Sequence, residues 1–173
     1  MGAMLIRKLV PDDVEQIRPL RLRGLAEHPE AFGSSVEEEK ERPVETFVER
    51  MKSEDAIGNF MFGAFDEGDQ LIGMVGFHRQ DHIKQQHKGF IWGMYVPKEH
   101  QGKGIGRRLL ETAINEVKGR PGLEELILQV ASVNEGARKM YESLGFEKYA
   151  VEPRSLKVNG EYYDEDYMLL KLK

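Results

Sequence analysis

Met94-Tyr95-Val96-Pro97-Lys98-Glu99-His100-Gln101-Gly102-Lys103-Gly104-Ile105-Gly106-Arg107-Arg108-Leu109-Leu110 decides how the chain is read. An apolar run ends, a loop dense in glycine and cations follows, and an amphipathic helix begins at once. Such a loop turns several backbone N–H groups toward one point at a helix N-terminus, which makes an anion site. Gly102, Gly104 and Gly106 remove side chains that would keep a phosphate away, and Lys103, Arg107 and Arg108 add positive charge. Taken alone, the stretch is also compatible with a ligand-free strand-to-helix turn. Two nucleotide loops are excluded. No Gly-Lys-Ser or Gly-Lys-Thr occurs, and Gly-x-Gly-x-x-Gly counted from Gly102 meets Arg107 where its third glycine belongs. The acidic residue expected at the end of the next strand is missing too, because Glu124 and Glu125 precede the apolar run Leu126–Val130.

The pattern that fits is Gln/Arg-x-x-Gly-x-Gly/Ala, met by Gln101, Gly104 and Gly106. A second block runs from Leu126-Ile127-Leu128-Gln129-Val130-Ala131 through Asn134 to Tyr141, Gly145 and Phe146. It reads as a strand, then a helix capped by Asn134 and closed by Gly145. Asn134, Ala137 and Tyr141 are spaced to project from one side of that helix. On these two blocks the chain resembles the GNAT superfamily of acyl-CoA-dependent N-acetyltransferases.

The resemblance implies an α+β fold of three layers, with a mixed, mostly antiparallel sheet of six or seven strands flanked by about four helices. It implies acetyl-CoA as cosubstrate, with its pyrophosphate held by Gln101, Gly102, Lys103, Gly104, Ile105, Gly106 and Arg107. The strand before that loop would splay from its neighbour and pair with the pantetheine arm through Met94, Tyr95 and Val96. An N–H near Met94 would act as the oxyanion donor. Asn134 and Ala137 would contact the pantetheine, and Tyr141 would lie beside the thioester sulfur as general acid. By the residues alone, Tyr141 is equally a core aromatic and Asn134 only a cap.

The rest of the chain bounds this reading. With 173 residues it forms one domain over 4–173, and Met1-Gly2-Ala3 reads as a remnant ahead of Met4. The absence of cysteine removes disulfides, thiolate metal sites and a cysteine nucleophile. A net charge of −5 argues against a nucleic-acid partner and suits a cationic amine. No segment has the length of a membrane span, so no membrane partner is expected and the expected compartment is the cytoplasm.

A first strand spans Met4–Val10, and a helix follows from Asp12 or Asp13 to about Glu27, distorted at Pro19. Pro43 opens a second helix. Phe60–Phe65 and Leu71–Arg79 form a hairpin around Asp66-Glu67-Gly68-Asp69, and Gly89–Val96 is a buried strand. The helix after the glycine loop buries Ile105, Leu109, Ala113, Ile114 and Val117. Phe146–Val151 and Tyr162–Leu172 close the fold, joined by a loop containing Val158-Asn159-Gly160. Glu37-Glu38-Glu39 reads as a solvated face.

The general base is not marked. Trp92, Gly93 and Met94 stand where some family members carry a glutamate, so a water chain to His78, Glu37, Asp164 or Glu165 is expected. His78, His82 and His87 lack the spacing and partners of a metal site, and none is expected. By family analogy the acceptor pocket would be lined by Phe32, Ser34, Ser35 and Trp92, with Tyr162 and Tyr163 opposite. Phe32 and Trp92 suit an ordinary core equally well. The acceptor is a primary amine, whether a small amine, an amino acid, an antibiotic or a protein N-terminus, and the resemblance also implies homodimerisation through terminal strands. Two rival readings are a non-catalytic acyl-CoA sensor and a transferase with a longer acyl donor.

Overall fold

The computed structural model describes residues 3–51 and 58–173. Its elements are β1 (Leu5–Lys8), α1 (Val14–Glu27), α2 (Val36–Glu41), α3 (Val44–Arg50), β2 (Phe60–Phe65), β3 (Leu71–Arg79), β4 (Lys88–Tyr95), α4 (Ile105–Val117), β5 (Glu125–Ala131), α5 (Glu135–Ser143), β6 (Glu147–Val158) and β7 (Glu161–Lys171). The seven strands form one sheet in the order β1-β2-β3-β4-β5-β7-β6. Every pairing is antiparallel except β4 with β5. The architecture is the expected mixed α+β sheet, at the seven-strand end of the range.

Alternation along the strands builds two cores, one on each face. Phe62, Val75, Phe77 and Ile91 face α4, whose Ile105, Leu109, Ala113, Ile114 and Val117 are all buried as their spacing requires. Met61, Met74 and Tyr95 face the other way, against Ile17, Leu20 and Leu25 of α1 and Phe47 of α3. Helix α1 runs through Pro19 without interruption.

Two expectations are corrected here. Residues 36–41 form an additional short helix, whose N-terminus is a capping box: Ser35 Oγ accepts from the Glu38 N–H, and Glu38 Oε2 accepts from the Ser35 N–H at 2.8 Å. The Glu37–Glu39 run is therefore not uniformly solvated. Glu39 is 0% exposed, because Arg21 of α1 and Arg42 both donate to its Oε1 at 2.9 Å. The connection between the last two strands is also tighter than expected. Strand β6 continues to Val158, and Asn159 (φ 50°) and Gly160 (φ 82°) alone make the turn, the positive-φ pair of a two-residue hairpin.

What positions the site is the incomplete join at the sheet centre. Strands β4 and β5 pair only through Lys88–Glu125, Gly89–Leu126 and Phe90–Ile127. Beyond Phe90 the two strands diverge, leaving a wedge bounded by the glycine loop and the start of α5.

Candidate active site

The wedge is a cavity of about 660 Å³, within the range of small-molecule sites. Met94, Tyr95 and Val96 of the β4 end form one side, with Gln101, Gly102, Gly104, Ile105, Gly106 and Arg107 at the loop. Asn134, Ala137 and Met140 of the α5 region form the other side, and His28, Glu30, Ala31 and Phe32 close one end.

Strand β4 is bulged where it borders this cavity. Trp92 pairs with Gly76 and Tyr95 with Met74, so Gly93 and Met94 together oppose the single residue Val75. The registers with β3 and β5 pair neither of them with a partner residue. Gly93 takes φ +64°, which a side chain would resist, and the extra residue re-aims the backbone at Met94. The bulge takes Gly93 and Met94 out of the ladder register beside the wedge.

At the loop, Gly104 is the N-cap of α4 with φ +77°, and it supplies no capping side chain. The first N–H groups of this 13-residue helix have no partner within the helix, and they carry the positive end of its dipole. A Cβ on Gly102 or Gly104 would meet nothing within 4 Å, so the cradle is open as an incoming phosphate needs. Gln101 Nε2 donates to the Val96 carbonyl at 2.9 Å and ties the loop to the strand. Arg107 is held by Glu111 at 3.0 Å and Ser143 Oγ at 2.5 Å. Lys103 is exposed and does not line the cavity.

Asn134 Oδ1 accepts from the Ala137 N–H at 3.2 Å, so its cap role is realised. Tyr141 is not among the residues lining the cavity, although its helix neighbours Ala137 and Met140 are. It is 7% exposed, with its ring edge-on to Phe146. Its hydroxyl makes no hydrogen bond among the described residues, and burial pushes its pKa up to about 12.

One end of the cavity is built by the turn at Pro29–Ala31, which packs near β5 and β6. His28 and Glu30 lie on this wall with Nδ1 and Oε1 3.8 Å apart. They are the titratable pair that the sequence did not flag. The signal available was their place at the α1 exit, just before Phe32, Ser34 and Ser35, which the sequence assigned to the pocket. The Tyr95 side chain turns away toward α1, where its hydroxyl donates to Glu27 at 2.8 Å. Desolvation, then that carboxylate, pushes the phenol well above its ordinary range. Arg23 grips Glu99 through two bonds of 2.6 Å, fixing α1 against the segment after β4.

Other expected site residues stand elsewhere. Of the acceptor-pocket set only Phe32 lines the wedge. Ser35 is committed to its cap, and Ser34 is half-buried outside the lining. Trp92 projects to the α1–α3 face, because the bulge puts it out of phase with Met94, and it borders a separate cavity with Arg50 and His78. Tyr162 is 47% exposed on the β6–β7 hairpin beneath Arg154. Of the base candidates, His78 contacts Asn59 at 3.2 Å, Glu37 is exposed, Asp164 holds the Arg154 N–H, and Glu165 accepts from Ser155.

The sequence profile of the acetyltransferase (GNAT) family matches residues 23–146. The chain belongs to that family. Among curated relatives it is 34% identical to N-alpha-acetyltransferase 30 of Schizosaccharomyces pombe over 90 residues, 52% of this chain and 59% of that one. It is 33% identical to the mycothiol acetyltransferase of Rhodococcus jostii over 144 residues, 81% of this chain and 44% of that one. The chain thus spans about half the length of these relatives. The Salmonella typhimurium protein yncA, solved with its cofactor acetyl-CoA, superposes with a TM-score of 0.85 at 22% identity, covering 99% of this GNAT chain and 95% of that one. At that identity the likeness concerns the fold. No helix among the described residues is long and apolar enough to cross a membrane.

Proposed function

We propose that this GNAT chain is an acetyl-CoA-dependent N-acetyltransferase that acetylates a primary amine by direct attack within a ternary complex. The observation that carries this reading is the single cavity onto which the β4 bulge, the open glycine cradle and the Asn134 cap all converge. Gln101–Arg107 and the α4 N-terminus are suited to the pyrophosphate. The edge formed by Met94, Tyr95 and Val96 suits the pantetheine arm. Bound there, acetyl-CoA supplies an acyl group activated as a thioester.

The chain's own residues do the rest. The backbone at Met94 is placed to stabilise oxyanion charge. Tyr141 keeps its proton at neutral pH and is the donor proposed for the departing sulfur. His28, with Glu30 beside it, is the proton acceptor proposed for the incoming ammonium, in place of the bases expected from sequence. We place the reaction in the cytoplasm. The test is incubation with acetyl-CoA and a panel of primary amines, following free thiol and N-acetyl product by mass. Equal amounts of thiol and acetylated amine are expected; acetyl-CoA that binds but is never consumed would instead make the chain a sensor.

A further inference from the structure

Behind Phe32, between α1, α3 and β4, lies a group of charges the transfer chemistry does not use. Arg21 is 5% exposed, and its Nε donates to Glu39 Oε1 while its Nη1 has no hydrogen-bond partner among the described residues. Arg50 Nη1 is likewise buried and unpartnered. Both guanidinium groups lie over the indole of Trp92, at 5.4 and 5.0 Å from its centre. Arg42 also donates to Glu39, so three cations here face one carboxylate. The Arg50 pKa is drawn down to about 10 by burial and then by the charge of Arg21, with Glu39 offsetting only in part. An unpaired guanidinium N–H out of water is expensive, and two such groups side by side call for an anion.

The position is informative. A Cβ on Gly93 would stand 3.2 Å from Arg21 Nη1, so the free donor lies against the residue preceding Met94. Arg21 also lies 5.6 Å from the ring of Phe32, which lines the wedge. In an α-amino acid the nitrogen and the carboxylate carbon are about 2.5 Å apart. An anion held by Arg21 therefore keeps an amine within reach of the bulge.

We infer that Arg21 and Arg50 form an anion subsite for the acceptor, so that the acceptor is a free amino acid rather than a simple amine or a peptide N-terminus. This rests on the acetyltransferase reading above. Glu39 Oε2, also without a partner, offers an acceptor for a donor group of the same ligand.

The experiment compares the twenty L-amino acids with matched amines lacking the carboxylate, such as L-leucine with isoamylamine, and with an amide-capped dipeptide. Thiol release is measured for wild type, Arg50→Gln and Arg21→Lys, and acetyl-CoA binding is followed separately by calorimetry. The expected wild-type preference in kcat/KM is about 10²-fold or more for at least one acid over its amine. In Arg50→Gln the KM for that acid should rise about tenfold or more while the KM for the amine stays within about threefold. If Arg21→Lys does not fold, Arg50→Gln carries the test, being at the edge of the cluster. Amines or the capped dipeptide matching the acids, no acid turned over, or equal losses for acid and amine in Arg50→Gln would each overturn the subsite. Turnover of the amines distinguishes the two failures: if an amine or the dipeptide is acetylated, only the subsite falls, and if neither acid nor amine is acetylated, the transferase reading falls with it, whether or not acetyl-CoA binds.

Discussion

The side-chain amide of Gln101 donates to the main-chain carbonyl of Val96 across 2.9 Å, so the glycine loop is fastened to the strand that borders the cavity. The proposed phosphate cradle and the proposed oxyanion donor at Met94 are thereby tied together. Gln101→Ala should leave the fold intact, since the residue is exposed. It should weaken acetyl-CoA binding about five- to tenfold, the scale of one net hydrogen bond. Calorimetry of the two proteins checks this; unchanged affinity would mean that the loop is rigid without the tether.

Gly93→Ala should be costly for its size. The residue sits at φ +64°, and its new methyl would crowd Arg21 Nη1. A loss of about 1–2 kcal/mol is expected from the left-handed backbone, or a Tm lower by roughly 2–8 °C. Because the bulge aims Met94, kcat should fall more than acetyl-CoA affinity does.

Tyr141→Phe separates chemistry from packing. The hydroxyl makes no hydrogen bond among the described residues, so stability should change by less than about 0.5 kcal/mol. If Tyr141 delivers the proton, kcat should fall by about 10²–10⁴-fold. Its pKa lies above that of an ordinary phenol, at about 12, so deprotonation of Tyr141 should cause no loss of wild-type kcat below about pH 11. A fall smaller than tenfold would assign proton delivery to water.

Much of this was legible in the chain. The hairpin of β2 and β3, the buried face of α4 and the Asn134 cap follow from local spacing and local hydrogen bonds, and the structure has them where the residues put them. What stayed hidden depends on contacts between distant elements. Glu39 reads as one of three solvated glutamates until Arg21, eighteen positions earlier, is brought against it. Simple alternation would put Trp92 and Met94 on one face of β4, and the bulge at Gly93 breaks that alternation. His28 and Glu30 gain meaning only when their turn packs near β5.

Stability should depend on pH through Asp13. Hydrogen bonds from Arg7 at 2.8 and 2.9 Å, resisted by desolvation and aided by the Val10 N–H, hold its pKa below the ordinary value. A depressed carboxylate stabilises the fold above its unfolded pKa, and the contribution fades as pH falls through the folded one. Asp13→Asn should therefore cost about 1 kcal/mol at pH 7, a modest figure because Arg7 is partly exposed. The difference should be smaller at pH 3 than at pH 7. Urea unfolding of both proteins at the two pH values gives the answer; a gap that widens in acid would contradict the assignment.

The central claim is that the cradle at Gly104 holds the phosphates of acetyl-CoA, and calorimetry on wild type and Gly104→Glu tests it most directly. The substituted carboxylate would occupy the open space at the α4 N-terminus and repel the ligand. Saturable binding by the wild type is expected, and none by a variant whose circular dichroism matches it. Equal binding by the folded variant, or none by the wild type, would contradict it.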